Sequence, residues 1–434
     1  MPTPDHSALL LDAPRIGEQL VQWIPAWRGC DPARLVLHQS RRRISRKTEE
    51  AGAPYLGVAY AWADESMRAP WLYLRAHSRG TSAAAAREHG ALHLPSIDAV
   101  AWLLPHDPAL KALPQMLDGD ATARGVVGEP FAPGRGAEWH AGIVRYEPES
   151  HCTVRFTARG APELPAIYGK CHADARWKVN ARHLRALWSY GESHSDAFAV
   201  ARPLAASAEL QALWQQGVAG TPLREALADD DAERRLAQLV RGLQGLQAMA
   251  PLATDRLDPA VLLARTRKQA SKLVRAEPAL APSLVRVMTA LERLPLATTS
   301  VNVHGDFHID QLLVSGSRLV LFDFDNLALG HPAHDVADCA SQLLTDSGLA
   351  ESRRRWLARH LIDVARDAFD RCCVEADLQW HLRALLLRKA YSFFVRHRAG
   401  WITQAREAIA LAEQGLQAVA GSDDCLAHRH EVAL

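Results

Sequence analysis

The 434 residues carry 50 Lys and Arg against 49 Asp and Glu, a formal net charge of +1, and 48% of them are hydrophobic. So long a chain exceeds one small core, which predicts two or three domains, and its balanced charge argues against nucleic-acid or membrane-surface binding driven by bulk charge. No run approaches the roughly 20 apolar residues that span a bilayer, MPTPDHSALLLDAPRIG lacks the marks of a secretory signal, and the seven scattered Cys include no CxxC pair, so a cytoplasmic protein without disulfides or a zinc-thiolate site is expected.

Apolar positions at helical spacing within residues 7–27 (Leu9, Leu10, Ile16, Leu20, Ile24) predict an N-terminal helix. The strand-like runs RLVLHQS, YLGVAYAWA and WLYLRAH follow, then a short helix at SAAAAREHGAL and the segment IDAVAWLLPHDPALKAL. The next stretch repeats that order: GIVRYEP, TVRFTA and AIYGKCH as strands, ARWKVNARHLRALWSY as a helix, then DAFAVARPLAASAELQAL. LYLRAH (72–77) matches IYGKCH (167–172), and DAVAWLLPHDPALKAL (98–113) matches DAFAVARPLAASAELQAL (196–213), which suggests a duplication with too long a period for a solenoid. From about residue 224 the apolar spacing is helical, interrupted only by the strands SVNVHGDF, QLLVSG and RLVLFDFD, with SGSR as a hairpin turn.

HGDFHIDQ (304–311) and LFDFDNLALGHPAHD (321–335) concentrate His and Asp in this hairpin. His304, Asp306 and His308 alternate on one strand face, and with His331, His334 and Asp335 they make the case for a metal-dependent hydrolase. The competing case is phosphoryl transfer. Asp306 and Gln311 are five apart, the spacing of the proton-accepting Asp and metal-binding Asn of a kinase catalytic loop, and the hairpin returns Asp323 beside them. That chemistry needs a carboxylate to orient the attacking hydroxyl and two oxygen ligands to hold Mg²⁺ against the phosphates.

In these residues the sequence resembles the aminoglycoside phosphotransferase and choline kinase family, whose signature is HGD, four residues, Asn, a hairpin, an Ile-Asp-Trp type strand end and a Gly-Asp-Pro-x-x-Asp segment opening a helix. The corresponding residues are His304, Gly305, Asp306, Gln311, the triplet Phe322, Asp323, Phe324, and Gly330, His331, Pro332, Asp335. The resemblance implies a protein-kinase-like two-lobe α+β fold using ATP and Mg²⁺, with Asp306 as catalytic base, Gln311 and Asp323 as metal ligands, and Asp335 as a buried brace. Gln311 departs from the usual Asn but offers the same amide oxygen on a longer stem, as similar maltokinases do. The resemblance also assigns Lys170, one of only seven Lys, to the phosphates, and the backbone of Trp214, Gln215 and Gln216 to the adenine. Two departures stand out. YEPESHC (146–152) replaces a Gly-rich loop, and the helix after Lys170 has no obvious Glu partner, since Asp174 falls early and Glu192 late.

The expected organisation is an N-terminal helix (1–29), a non-catalytic N-lobe-like α+β domain (30–130), a nucleotide-binding N-lobe (131–223), a helical catalytic C-lobe (224–425) and a tail (426–434). The first lobe carries Arg75 where the second carries Lys170, and no catalytic hairpin follows it. Packing, a homodimer contact or cover for the substrate entrance are the roles open to it. Only eight residues separate Asp323 from Pro332 and no Ala-Pro-Glu triplet follows, so a small hydroxylated acceptor is expected rather than a protein. The expected activity is transfer of the γ-phosphate of ATP to a hydroxyl of an aminoglycoside, sugar or amino alcohol. A catalytically inactive nucleotide-binding scaffold is the alternative and the hydrolase the third. Among the smaller features, Asp310 is read as a solvated loop carboxylate, Asp325 as a turn residue, Arg41 to Arg43 as a solvated turn, and Trp380, Tyr391, Phe393, Phe394 and Trp401 as core or stacking surface.

Overall fold

The structure, a computed structural model, describes residues 9–42, 56–63, 71–77, 80–122, 138–162, 164–228, 231–293, 300–369 and 375–419. These form two compact units, one of residues up to 185 with 201–218 and 395–399, the other of 186–200, 219–394 and 400 onward. Helices of eight or more residues are labelled α1 to α10.

The first unit opens with α1 (Ala13–Trp23), whose start is set by the Asp12 carboxylate accepting from Arg15 N and by Pro14 in the first turn. It is shorter than its apolar spacing predicts, because Pro25 cannot donate and the chain leaves in a 3-10 turn (Pro25–Trp27). Two five-stranded antiparallel sheets follow. The first contains β1 (Leu35–Arg42), β2 (Leu56–Trp62), β3 (Trp71–Ala76), then α2 (Ser82–His89), β4 (Leu92–Leu94) and β5 (Ala99–Leu103), in the order β1-β2-β3-β5-β4. The second contains β6 (Glu138–Glu147), β7 (His151–Arg159), β8 (Ile167–His172), then α3 (Arg176–Ser193) and, past β9 (Ala199–Val200), β10 (Pro203–Ser207) and β11 (Ala212–Gln216), in the order β6-β7-β8-β11-β10.

The two sheets therefore share one topology: a hairpin, a third strand, a helix, an edge strand, and a fifth strand inserted between third and fourth. Arg75 on β3 and Lys170 on β8 hold equivalent places, in keeping with the 72–77 and 167–172 match. The second match, 98–113 with 196–213, is out of register. Residues 99–103 form the inserted strand, whose topological equivalent is 212–216, because α3 has 18 residues where α2 has 8.

Alternation along β3 divides its side chains between two cores. Leu72, Leu74 and Ala76 join Leu10, Ile16, Leu20 and Ile24 at the α1 face. Trp71 and Tyr73 join a second core that also takes Tyr146, Cys152, Val154, Phe156, Ile167 and Trp214 from the second sheet. The first unit is thus layered as helix, sheet, sheet.

The second unit takes in β9 and adds β12 (Thr221–Pro222), α4 (Ala232–Ala248), β13 (Arg256–Leu257), α5 (Pro259–Ala276), α6 (Ala281–Arg293), β14 (Val301–Val303), β15 (Leu312–Ser315), β16 (Arg318–Leu321), β17 (Ala328–Gly330), α7 (Ala333–Leu344), α8 (Glu351–Phe369), α9 (Glu375–Val395) and α10 (Trp401–Gln414). Its two small sheets run β12-β15-β16-β9 and β13-β17-β14, set among the helices. Asn302 on β14 pins the segment after α4, accepting from Leu252 N (2.8 Å) and donating to the carbonyls of Met249 (3.1 Å) and Ala250 (3.0 Å). The α4 start lies at Asp231, an acidic residue where the helix dipole favours one. Among the described residues no helix is long and apolar enough to cross a membrane.

Candidate active site

The hairpin of the second unit is braced from α7. Asp335, fully buried in the first turn of that helix, accepts the backbone N–H of His304 (2.6 Å) and of Gly305 (3.0 Å). Burial raises its carboxyl above the ordinary range, opposed by His334, His304 and these two donors. Gly305 has φ of +80°, and a Cβ there would stand 2.2 Å from Asn326 O, so the turn into Asp306 accepts only glycine. His304 spends its Nε2 on Phe322 O (2.8 Å), which makes it scaffold.

The same Phe322 anchors the other arm. Its N–H donates to Gln311 O (3.1 Å), and the β15–β16 ladder continues with Leu312 opposite Leu321. Two bonds at one residue thus tie the strand end before Asp323 to both His304 and Gln311. Asp323 has φ of +62° and ψ of +60°, a left-handed conformation that costs a residue with a Cβ and that the hairpin imposes. Gln311 is buried, and its Oε1 has no hydrogen-bond partner among the described residues. A buried amide oxygen left unpaired is costly unless some ligand completes it.

Asp306 is approached from α9. Arg388 Nη2 lies 2.5 Å from Asp306 Oδ1, while its Nη1 stands 3.4 Å from Asp338 Oδ2 and 3.4 Å from Gly305 O. Lys389 Nζ is 3.6 Å from Asp338 Oδ1. Burial alone would raise the Asp338 carboxyl, but Arg388 and Lys389 hold it below the ordinary range. Sequence reasoning missed these three residues. The available signals were a basic pair inside the apolar run ALLLRKAYSFF and the three-residue spacing that puts Asp335 and Asp338 on one face of α7.

Of the remaining histidines, His308 lies in the field of Asp306, with its Nδ1 3.7 Å from Asp310 Oδ2, and burial lowers it below the usual histidine range, whereas His331 and His334 lie elsewhere. His331 and His334 lie at the start of α7 against His381 of α9, with ring centroids 5.2 Å and 5.7 Å from the His381 ring, and His331 Nε2 is 3.6 Å from Asp377. All three are buried, and burial lowers each below the usual histidine range. Among the described residues no group of three or more His, Cys, Asp or Glu is placed to hold a metal ion, so the geometry lends no support to the hydrolase reading. Asp310, read from sequence as a solvated loop carboxylate, is engaged: Arg224 Nε lies 2.6 Å from one oxygen and Gln342 Nε2 donates to the other at 2.8 Å. Trp380 and Phe394 are core, the indole donating to Leu291 O (2.8 Å), whereas half-buried Tyr391 accepts from Lys272 Nζ (3.2 Å).

In the first unit, Lys170 lies on β8 opposite Leu213 and Thr153, on the sheet face away from the core that takes Ile167 and Cys171. Asp174 bonds Arg176 (2.9 Å); in the second unit Glu192 faces Arg318 (3.9 Å). Trp214 is fully buried, and its backbone lies inside the sheet, opposite Gly169 of β8 and Ala205 of β10. Gln216 N–H donates to Arg202 O (2.9 Å) and Gly217 N–H to Ala166 O. The Trp214 backbone and the Gln216 N–H, expected to meet the adenine, are thus engaged within the sheet. Arg41 and Arg42, read as a solvated turn, are strand residues of β1, and Arg41 pairs with Glu147 (3.0 Å); Arg43 lies outside the described residues.

A hairpin that joins an HGD turn, an amide oxygen and a returning carboxylate is the arrangement that kinase-type phosphoryl transfer requires. Residues 172–372, which include the whole hairpin, match the model of the phosphotransferase enzyme family. No curated protein matches the sequence. Among solved structures the chain is similar to a thermostable mutant of an aminoglycoside phosphotransferase in ternary complex with ADP and hygromycin B (16% identity, 66% of this chain and 96% of that one, TM-score 0.44). It is also similar to a choline/ethanolamine kinase family protein from Mesorhizobium loti (12%, 71% and 96%, 0.43) and to choline kinase from Cryptosporidium parvum (9%, 67% and 92%, 0.47).

Proposed function

We propose that the protein transfers the γ-phosphate of ATP to a hydroxyl of a small molecule, with Asp306 as the base. The observation that carries this reading is the unpaired, buried Gln311 Oε1 on a hairpin whose backbone ties Gln311 to Phe322, the residue before Asp323. One neutral and one anionic oxygen suit a Mg²⁺ ion that takes its remaining ligands from phosphates and water. Gln311 and Asp323 would hold that ion, which when bound neutralises and orients the phosphate oxygens.

Arg388 occupies Asp306 Oδ1 and so fixes the carboxylate rotamer. Oδ2 is the oxygen assigned to the acceptor hydroxyl, orienting its lone pair toward phosphorus and taking its proton. The new bond joins the acceptor oxygen to the γ-phosphorus, the bond to the β-phosphate oxygen breaks, and ADP carries away that electron pair. Positioning of this kind supplies much of the acceleration when the transition state is loose. Lys170 is assigned to the phosphates. The adenine contact is assigned to the backbone following Gly217, since the donors of Gln216 and Gly217 are committed.

The test is MgATP turnover against a panel of sugars, aminoglycosides and amino alcohols. Product from one acceptor class, abolished by Asp306→Asn, supports the kinase. MgATP binding without turnover on any acceptor supports the inactive scaffold instead.

A further inference from the structure

The β6–β7 turn, residues 147–150, stands where a kinase lobe carries its phosphate-covering loop, yet it contains no glycine. Its carboxylates are gripped by the first sheet. Glu147 accepts from Gln39 and from Arg41 (3.0 Å) of β1. Glu149 Oε1 accepts from Arg75 Nη1 (2.7 Å) and its Oε2 from the Tyr73 hydroxyl (2.7 Å) of β3. Side-chain exposure of Arg75 and Glu149 is 8% and 14%, so the pair is desolvated. Arg75 is itself held over the Trp102 ring at 4.7 Å. Asp107 completes the grip, one oxygen accepting from the Tyr146 hydroxyl (2.5 Å) and Glu149 N (3.1 Å), the other from Ala109 N and Leu110 N.

Glu149 takes a φ of +59°, which costs a non-glycine residue of order 1 kcal/mol or more and persists only where surroundings over-determine it. Here they do. Arg75 is the topological equivalent of Lys170, and the anion on its guanidinium is the Glu149 carboxylate. The first lobe therefore has its own anion-binding position filled by the turn of the second.

We propose that β1, β3 and Asp107 act as a fixed clamp that pre-organises the 147–150 turn for nucleotide phosphates, with Arg75 and Glu149 as positioning residues. The proposal rests on the nucleotide-lobe reading of the second sheet. A turn held by the first lobe does not need glycine to reach its binding conformation, and it loses less entropy when the nucleotide arrives.

Two measurements on the full chain test this. Hydrogen exchange of a peptide spanning 147–151, without nucleotide, is expected to quicken at least tenfold in Arg75→Met and in Glu149→Gln; unchanged exchange overturns the clamp. MgATP affinity is expected to fall about tenfold in either variant and no further in the double variant, with the KM for ATP raised and kcat at saturating ATP within about twofold. Arg75→Lys should recover part of the affinity. A lower melting temperature with unchanged MgATP affinity would make the contact merely structural and overturn the proposal. If the parent protein binds no MgATP, the nucleotide-lobe reading fails and the nucleotide half of the proposal with it, whereas the exchange result still judges the clamp.

Discussion

Arg388 Nη2 lies 2.5 Å from Asp306 Oδ1, and the same guanidinium reaches the fully buried Asp338 at 3.4 Å. A helix more than eighty residues down the chain thus sets the orientation of the proposed base through one planar, forked cation. Arg388→Met should lower kcat by about 10- to 100-fold with little change in the KM for ATP, because only the positioning of Asp306 is lost. It should also destabilise the fold by roughly 3 kcal/mol, since Asp338 keeps Lys389 alone as a cationic partner. Arg388→Lys should recover stability better than turnover. Steady-state kinetics with a denaturant titration checks both halves.

The Asp335 brace accepts two backbone donors in a fully buried position. Asp335→Asn turns one acceptor into a donor facing an N–H, and should cost roughly 2 to 4 kcal/mol and most activity. Circular dichroism melts together with turnover would show stability and activity falling together. Retention of both would mean that the brace is dispensable.

Gly305→Ala meets both a positive φ and a carbonyl oxygen 2.2 Å from the new Cβ. The expected loss is more than about 3 kcal/mol, whereas alanine in place of a glycine where space and φ allow stabilises by about 0.4–1 kcal/mol. Comparing it by thermal melting with an alanine at half-buried Gly142, where nothing lies within 4 Å of the added Cβ and the φ is not positive, isolates the site-specific part.

The buried histidines make stability depend on pH. Burial lowers His331, His334 and His381 in the native protein from the ordinary 6.5, although Asp377 raises His331 and Asp335 and Asp338 raise His334. Below about pH 6.5 the unfolded chain therefore binds protons that the native state refuses, and stability falls by up to about 1.4 kcal/mol per pH unit for each histidine. Above that pH both states are neutral and the cluster contributes no slope. Urea titrations from pH 5 to 8 should show this, and His381→Leu should remove about one proton from the difference.

Much of the site was legible because HGDFHIDQ and LFDFD are local signals: the spacing of Asp306 and Gln311 and the hairpin turn lie within twenty residues. Asp335 was legible through the resemblance, as the last residue of the Gly330, His331, Pro332, Asp335 segment that opens a helix. Arg388, Lys389 and Asp338 were not, because only tertiary packing of α9 against α7 brings them to Asp306, and the apolar pattern of α9 concealed a basic pair. The first three strands of each five-stranded sheet were legible from alternation and turn residues, but the strand order was not. Nor was the pairing of β10 with β11 legible, which sets the Trp214 backbone inside the sheet. Short apolar runs fix the period of a strand without fixing which neighbour each residue meets.

The proposed role of Asp306 is to serve a small-molecule hydroxyl. The most direct measurement is single-turnover transfer from radiolabelled γ-phosphate ATP with Mg²⁺ to the best acceptor of the panel, in the parent protein and in Asp306→Asn, with MgATP affinity measured alongside. Labelled acceptor is expected from the parent, with a rate about 10³-fold lower or less in Asp306→Asn and unchanged MgATP affinity. Transfer at the parental rate in Asp306→Asn would contradict that role.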